Sequence, residues 1–263
     1  MEYKASILTS IYNGKDFIES FLEDIKRQTI FEECQFIMID ANSSDYLDSE
    51  KHIAPFAKEH DNVQYHKIVY EDDFVPNVYT VWNIIIRSYA ESELLTNWNL
   101  DDSRHPRHLE LHVNALQENP SISLAYASVL ETNKPNETFE SNTASSLLNF
   151  PDYKIEHLFQ VNMPHNCPVW RRSIHEEHGY FDEQYFSAGD YDMWLRAACE
   201  GSVFMKINGE EPLGLYYRNP EGISSKESTL DEAIKEVVSV KEKHYSRYLR
   251  NKIGHVGMEG KLW

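Results

Sequence analysis

Leu94-Leu95-Thr96-Asn97-Trp98-Asn99-Leu100-Asp101-Asp102-Ser103-Arg104 is the stretch on which the reading of this chain turns. The run from Leu94 to Leu100 has the length and apolar character of a buried strand, and it stops abruptly on two adjacent carboxylates. A helical pattern opens after Pro106. In an open α/β sheet, ligands bind in the crevice at the carboxyl ends of the strands. Two aspartates side by side at such an end repel one another unless a cation stands between them. Hard oxygen donors of this kind suit Mg²⁺ or Mn²⁺ carrying a phosphorylated compound. The alternative is an acidic N-cap for the helix near Pro106.

The flanking sequence places that stretch in a repeating pattern. Toward the N-terminus, Ala5 to Tyr12 is β-prone and closes on the turn pair Asn13-Gly14. Lys15 to Gln28 sets Phe17, Phe21, Leu22 and Ile25 on one helical face. Gln35 to Asp40 is a second buried-strand run ending on an aspartate, followed by the polar turn Ala41-Asn42-Ser43-Ser44-Asp45. A helix over Leu47–His60, a strand over Val63–Val69 and a helix over Tyr79–Ala90 follow. Strand and helix thus alternate, which predicts an α/β fold with a doubly wound, mostly parallel sheet. Beyond Asp102 the pattern continues with a helix over Pro106–Gln117 and a strand over Ile122–Val129. Residues 132–149 then read as a polar loop. The second half is less regular: Pro164 to Arg171, a helix from Asp190, strand-like pieces at Val203–Ile207 and Leu213–Arg218, and a charged helix over Leu230–Tyr248.

Composition narrows the function classes. The 263 residues carry 43 acidic against 25 basic side chains, a formal charge of −18, so nucleic acid and anionic lipid are poor partners. No apolar run approaches the ~20 residues that span a bilayer, and the start of the chain leaves no room for a secretory signal. Cys34, Cys167 and Cys199 are odd in number and lack metal-type spacing; reduced thiols, two of them in the core, are expected. The expectation is a cytoplasmic protein, in which the sequons at Asn42 and Asn136 carry no meaning. His108 and His112 lie four apart on a helix without a third ligand nearby, which argues against zinc.

The motifs, taken in order, resemble the family 2 glycosyltransferases, inverting enzymes of the GT-A fold. Those motifs are Thr9-Ser10-Ile11-Tyr12-Asn13-Gly14, Asp40-Ala41-Asn42-Ser43-Ser44-Asp45, Asn99-Leu100-Asp101-Asp102, Pro164-His165-Asn166-Cys167-Pro168-Val169-Trp170-Arg171-Arg172, Gly179-Tyr180-Phe181-Asp182 and Gly189-Asp190-Tyr191-Asp192-Met193-Trp194-Leu195-Arg196. They cover roughly residues 5–225. The resemblance implies a GT-A, Rossmann-like sheet and a single glycosyltransferase domain over 1–263. Residues 1–130 would form its nucleotide-sugar-binding half, 131–225 its acceptor and base half, and 226–263 a C-terminal helix and tail. It also implies a role in glycan or polysaccharide assembly, adding one sugar at a time, since neither transmembrane segments nor a Gln-x-x-Arg-Trp motif is present.

The resemblance assigns roles by position. Ser10, Tyr12 and Asp40 would bind the nucleotide, Asp40 through its base, and Asp101 would approach the ribose. Asp102, with Asp101, would hold Mn²⁺ or Mg²⁺. Asp190 would be the catalytic base and Arg218 would lie near the diphosphate. The donor would be a UDP-, GDP- or dTDP-sugar, and the acceptor a carbohydrate or lipid-linked glycan. Four positions depart from the pattern: Ala41, Asn42 in place of a glycine, Asn99 in place of the usual first aspartate and Gly189 in place of a glutamate. Asn tolerates a left-handed backbone, so the turn at Asn42 survives. The Glu71-Asp72-Asp73 run reads as a solvated acidic loop, His165 as a structural histidine, and Arg171 and Arg172 as partners of local acids. Two other readings are a catalytically silent nucleotide-sugar-binding module and a sugar nucleotidyltransferase. The latter lacks the glycine-rich, basic first turn its chemistry requires.

Overall fold

Parity along the strands builds the layers. In β1 (Ser6–Ile11), Ile7 and Ile11 face one side and Leu8 the other. The first side is covered by α1 (Ile18–Lys26), which contributes Phe21, Leu22 and Ile25. β2 (Gln35–Ala41) is buried throughout, with Phe36 and Met38 on the α1 side and Ile37 and Ile39 opposite. After α2 (Tyr46–Glu59) and β3 (Val63–Ile68), α3 (Val78–Ser88) lays Val81, Trp82 and Ile85 on the second face. β4 (Leu94–Asn97) pairs in parallel with β1, β1 with β2, and β2 with β3. The computed structural model describes residues 2–69, 74–223 and 225–259, with side chains through residue 252. Glu71-Asp72-Asp73 lies outside the described residues.

The strand expected to reach Leu100 ends at Asn97. Trp98 still donates its N–H to the Leu8 carbonyl (3.0 Å), but its indole N–H turns back to the Asp102 carbonyl (3.2 Å) and closes a turn around both aspartates. The two-residue β5 (Ser103–Arg104) and α4 (His108–Glu118) follow. The N-cap position of α4 is Arg107, with no side-chain cap, so neither Asp101 nor Asp102 caps this helix. The strand expected over Ile122–Val129 is split into β6 (Leu124–Tyr126) and β7 (Val129–Thr132), which belong to different sheets. Both pieces are almost wholly buried, so hydrophobicity carries no mark of the break. The expected loop over 132–149 contains β8 (Ser146–Leu148).

The irregular half completes the sheet. After the one-turn α5 (Ile155–Leu158), β9 (Val169–Arg171) inserts antiparallel between β4 and β6. After α6 (Ser173–His178) and α7 (Gly189–Cys199), β10 (Phe204–Lys206) pairs in parallel with β6. The order is β10-β6-β9-β4-β1-β2-β3, a mixed α/β architecture with a mostly parallel seven-stranded sheet flanked by helices. β11 (Gly214–Tyr217) joins β5, β7 and β8 in a four-stranded sheet beside it. The chain continues into α8 (Glu227–Glu259), longer at both ends than the Leu230–Tyr248 pattern.

Two expectations are corrected. All three cysteines, not two, are buried and free. Among the described residues, Arg171 and Arg172 do not pair with acids. Arg171 donates to the carbonyls of Ile122 (2.8 Å) and Leu116 (2.5 Å), and Arg172 to that of Ile86 (2.6 Å). Leu116 and Ile86 lie in the last turns of α4 and α3, whose terminal carbonyls lack intrahelical partners and attract cations. Among the described residues, no helix is long and apolar enough to cross a membrane.

Candidate active site

Parallel pairing brings the ends of β1, β2 and β4 to one edge of the sheet. Asp40, on β2, is wholly buried. Its Oδ1 accepts the Ser43 N–H (2.9 Å), while Oδ2 has no partner among the described residues. Burial raises its pKa, and Lys67 opposes that rise weakly. The hydroxyls of Thr9 and Tyr65 nearby are also buried and have no partner among the described residues. Thr9 and Tyr65 both stand beside Met38 in the strand register, two residues before Asp40. The β1 and β2 turns are tied together. Asn13 Oδ1 accepts from the N–H and hydroxyl of Ser44 (both 2.9 Å), and the Asn13 N–H donates to Ser43 Oγ (3.0 Å). Both turns use the left-handed backbone at asparagine, with φ of 49° at Asn13 and 62° at Asn42. Ser10 is half-buried and Tyr12 is exposed at the end of β1.

The second group gathers on the turn after β4. Asp102 is buried, and its Oδ1 accepts the Tyr217 N–H (3.1 Å) while Oδ2 accepts from the Asn99 amide (3.3 Å). Asp101 Oδ2 accepts from the Asn219 amide (3.1 Å). Burial first, and the Asp101 charge second, push Asp102 up to about 7; burial also raises Asp101. Beneath this turn lies Arg104, 1% exposed. It donates to Thr96 Oγ1 (3.0 Å), His108 Nε2 (3.0 Å) and the carbonyls of Asn97 and Asn166. Its backbone N–H donates to Asp24 Oδ2 (2.9 Å), and its guanidinium lies over Trp98. His108 and His112 therefore belong to a buried network, held neutral by burial. Arg218 pairs with Glu131 (2.9 Å) while remaining 59% exposed.

Asp190 sits in the first turn of α7, half-buried. Its Oδ2 accepts from the Asn162 amide (3.0 Å). The Tyr79 hydroxyl gives its one proton to the Ser187 carbonyl (2.7 Å), which leaves its 3.4 Å approach to Asp190 Oδ1 the weaker contact. Burial raises the pKa of Asp190. Tyr79 belongs to the first turn of α3, which follows β3 and therefore opens at the carboxyl edge of the sheet. The Asn42 amide meets the Phe74 carbonyl just before that helix (3.1 Å). The three groups thus share one edge. Among the described residues, Asp40, Asp102 and Asp190 do not touch one another directly. A narrow crevice beside Asp101 and Asp102, bounded by Asp24, Ser103, Asn136 and Glu137, includes neither of the other two.

The donor set is compatible with a hard divalent cation. Two adjacent carboxylates in a poorly solvated turn carry uncompensated charge, as the upward shift of Asp102 records. Among the described residues, no three His, Cys, Asp or Glu side chains cluster as a complete metal cage. Mg²⁺-type ions commonly take one or two carboxylates and complete their shell from phosphates and water.

Several residues at the site carried no sequence signal. Asn162 and Asn219 lie in aperiodic polar segments, and Tyr79 reads as one more helix residue. Arg104 stood in plain view after the aspartates, but its burial is a property of the fold alone.

No family model matches the chain, and no curated protein matches it in sequence. Solved structures match its fold. The TarS fragment 1–349 from S. aureus in complex with UDP superposes with a TM-score of 0.68 at 14% identity, over 93% of this chain and 65% of that one. The same fragment with UDP-GlcNAc gives 0.68 at 14% identity, over 95% and 72%. The mannosyltransferase PcManGT from Pyrobaculum calidifontis, in complex with GDP-Man and Mn²⁺, gives 0.60 at 13% identity, over 96% and 65%. The chain thus spans 65% of the length of the UDP-bound TarS fragment and of the mannosyltransferase. Its fold is the fold of these glycosyltransferases.

Proposed function

We propose that the protein is a metal-dependent inverting glycosyltransferase that moves one sugar from a nucleotide-sugar donor to a hydroxyl of a carbohydrate or lipid-linked acceptor. The observation that carries this reading is the placement of Asp40, Asp101–Asp102 and Asp190 on one edge of the sheet with different partners. Asp40 and the free hydroxyls of Thr9 and Tyr65 offer hydrogen bonds to a base. Ser10 and Tyr12 line the approach to the nucleotide, Asp101 the ribose, and Arg218 the diphosphate. Asp102, assisted by Asp101, would hold Mn²⁺ or Mg²⁺, which as a Lewis acid stabilises the charge growing on a nucleoside diphosphate leaving group.

Asp190 performs the other half of the displacement. Its carboxylate takes the proton of the acceptor hydroxyl as that oxygen attacks the anomeric carbon from the face opposite the leaving group. The Asn162 amide fixes one carboxylate oxygen and leaves the other for the proton. Its raised pKa makes it a better base than an exposed aspartate. The nucleotidyltransferase reading loses ground, because the N–H groups of Asn13 and Lys15 in the first turn are spent on Ser43 and Asp45 instead of facing a phosphate.

Sugar transfer and donor hydrolysis, assayed with UDP-, GDP- and dTDP-sugars in Mn²⁺ and in Mg²⁺, test the proposal. Asp190→Asn and Asp102→Ala are expected to lower the rate by ~10²–10⁴-fold. Full activity in either variant removes the role given to that residue. Nucleotide binding without turnover points to the silent binding module.

A further inference from the structure

Glu236, midway along α8, reaches the backbone that leads into Asp190. One of its oxygens accepts the N–H of Phe186 (2.6 Å), and the other accepts those of Ser187 (2.7 Å) and Ala188 (3.0 Å). α7 has no side-chain cap of its own: Ala188 occupies the N-cap position and cannot supply one. The segment leading into the helix that presents Asp190 is therefore held by a carboxylate some 50 residues further along the chain. The segment so fixed is also the one whose Ser187 carbonyl receives the Tyr79 hydroxyl, and the Tyr79 ring packs against Gly189.

α8 grips the same turn a second time, two residues after Asp190. Asp192 is 1% exposed and accepts from Lys243 Nζ and His244 Nε2 of α8, both at 2.8 Å, and from Arg196 of its own helix (3.2 Å). Asp190 is thus bracketed in sequence by two contacts to one helix, the Glu236 carboxylate of α8 before it and the Lys243 and His244 side chains of α8 after it. An anchored backbone on both sides fixes where the Asp190 carboxylate points.

We propose that Glu236 is a positioning residue for Asp190, and that docking of α8 is required for the base to stand in line with an acceptor hydroxyl. The proposal rests on the reading of Asp190 as that base. A misplacement of about 1 Å at a reacting group costs on the order of 10²-fold in rate. A carboxamide at position 236 presents its own N–H groups to the backbone donors, whereas an aspartate keeps the charge and shortens the reach.

Glu236→Gln, Glu236→Asp and Asp190→Asn are compared with wild type in the full chain, using UDP-GlcNAc and GDP-mannose with Mn²⁺. Amide hydrogen exchange of 186–190 is read alongside. In Glu236→Gln the exchange of these amides is expected to accelerate about tenfold or more. The kcat should fall at least about tenfold, with the donor KM held within about twofold. Glu236→Asp should fall between this variant and wild type, and it serves as the reading if Glu236→Gln does not fold. Unaltered exchange, or faster exchange with an unaltered kcat beside an inactive Asp190→Asn, overturns the proposal. A fully active Asp190→Asn overturns it differently: the base is then elsewhere, while the exchange data still report whether Glu236 holds the turn.

Discussion

The Asp102 carboxylate accepts the Tyr217 backbone N–H at 3.1 Å across 115 residues of sequence, tying the turn after β4 to the end of β11. The same carboxylate is the one the proposed chemistry loads with a cation. One residue thus joins the two sheets and carries a charge that the fold alone compensates poorly.

That charge makes the site sensitive to pH and metal. Asp102 sits at about 7 in the fold against about 3.9 in an unfolded chain. Between these values the folded state binds the extra proton, so this group's contribution to stability falls as pH rises through the window. Buried neutral histidines such as His112 and His175 act in the opposite sense, destabilising the fold as pH drops below about 6.5, so a difference measurement is required. Without metal, the Tm of Asp102→Asn minus that of wild type is expected to grow from pH 5 to pH 8. Mn²⁺ should raise the wild-type Tm more at pH 8 than at pH 5 and leave Asp102→Asn nearly unmoved. A difference that is flat with pH refutes the assignment.

The architecture around this turn was legible because the β1 to β4 segments obey simple periodicities: buried runs ending on Asp40 and Asp101–Asp102, alternating with one-faced helices. The second half was less so. β9 runs antiparallel in a parallel sheet and spans three residues, too few for a pattern. The break between β6 and β7 changes sheet without changing burial. Sequence motifs located the carboxylates but not what holds them. Asn162, Tyr79 and Glu236 act through distances of 28 to 111 residues, which no local pattern encodes.

Gly189 has no room for a side chain. A Cβ there would lie 2.7–2.9 Å from three carbons of the Tyr79 ring. The ring cannot yield freely, because its hydroxyl is bound to the Ser187 carbonyl. Gly189→Ala is expected to destabilise the protein by about 1–3 kcal/mol, the usual cost of overpacking. Combining it with Tyr79→Ala should recover part of that cost. Equilibrium urea unfolding of the single and double variants checks both, and strict additivity contradicts the contact.

Arg104 is a buried cation that serves several acceptors at once, including the carbonyls of Asn97 and Asn166. Burial lowers its pKa to about 10, so it remains charged at neutral pH. Arg104→Met leaves those acceptors without their donor and takes away a positive charge that favours ionised Asp102, with an expected loss of about 3–5 kcal/mol. Arg104→Lys keeps the charge but loses the planar fork, and should recover only part of the loss. Chemical denaturation measures both; a methionine variant within about 1 kcal/mol of wild type means the network contributes little.

Asp40 bears on which base the site prefers. Only one of its oxygens is available, because the other accepts the Ser43 N–H. Uracil and thymine present a single ring N–H flanked by two carbonyls, a match for one carboxylate oxygen with hydroxyls such as Thr9 and Tyr65 beside it. Guanine presents two adjacent N–H donors and would leave one unmet, and a buried unmet donor costs about 1–3 kcal/mol. UDP or dTDP is therefore expected to bind about tenfold or more tightly than GDP, since ~1.4 kcal/mol is a factor of ten. Asp40→Ala should remove most of that preference while leaving the Mn²⁺ response of the fold intact. Calorimetric titration of the three diphosphates decides it: equal affinities, or a preference for GDP, would mean that Asp40 does not read the base edge.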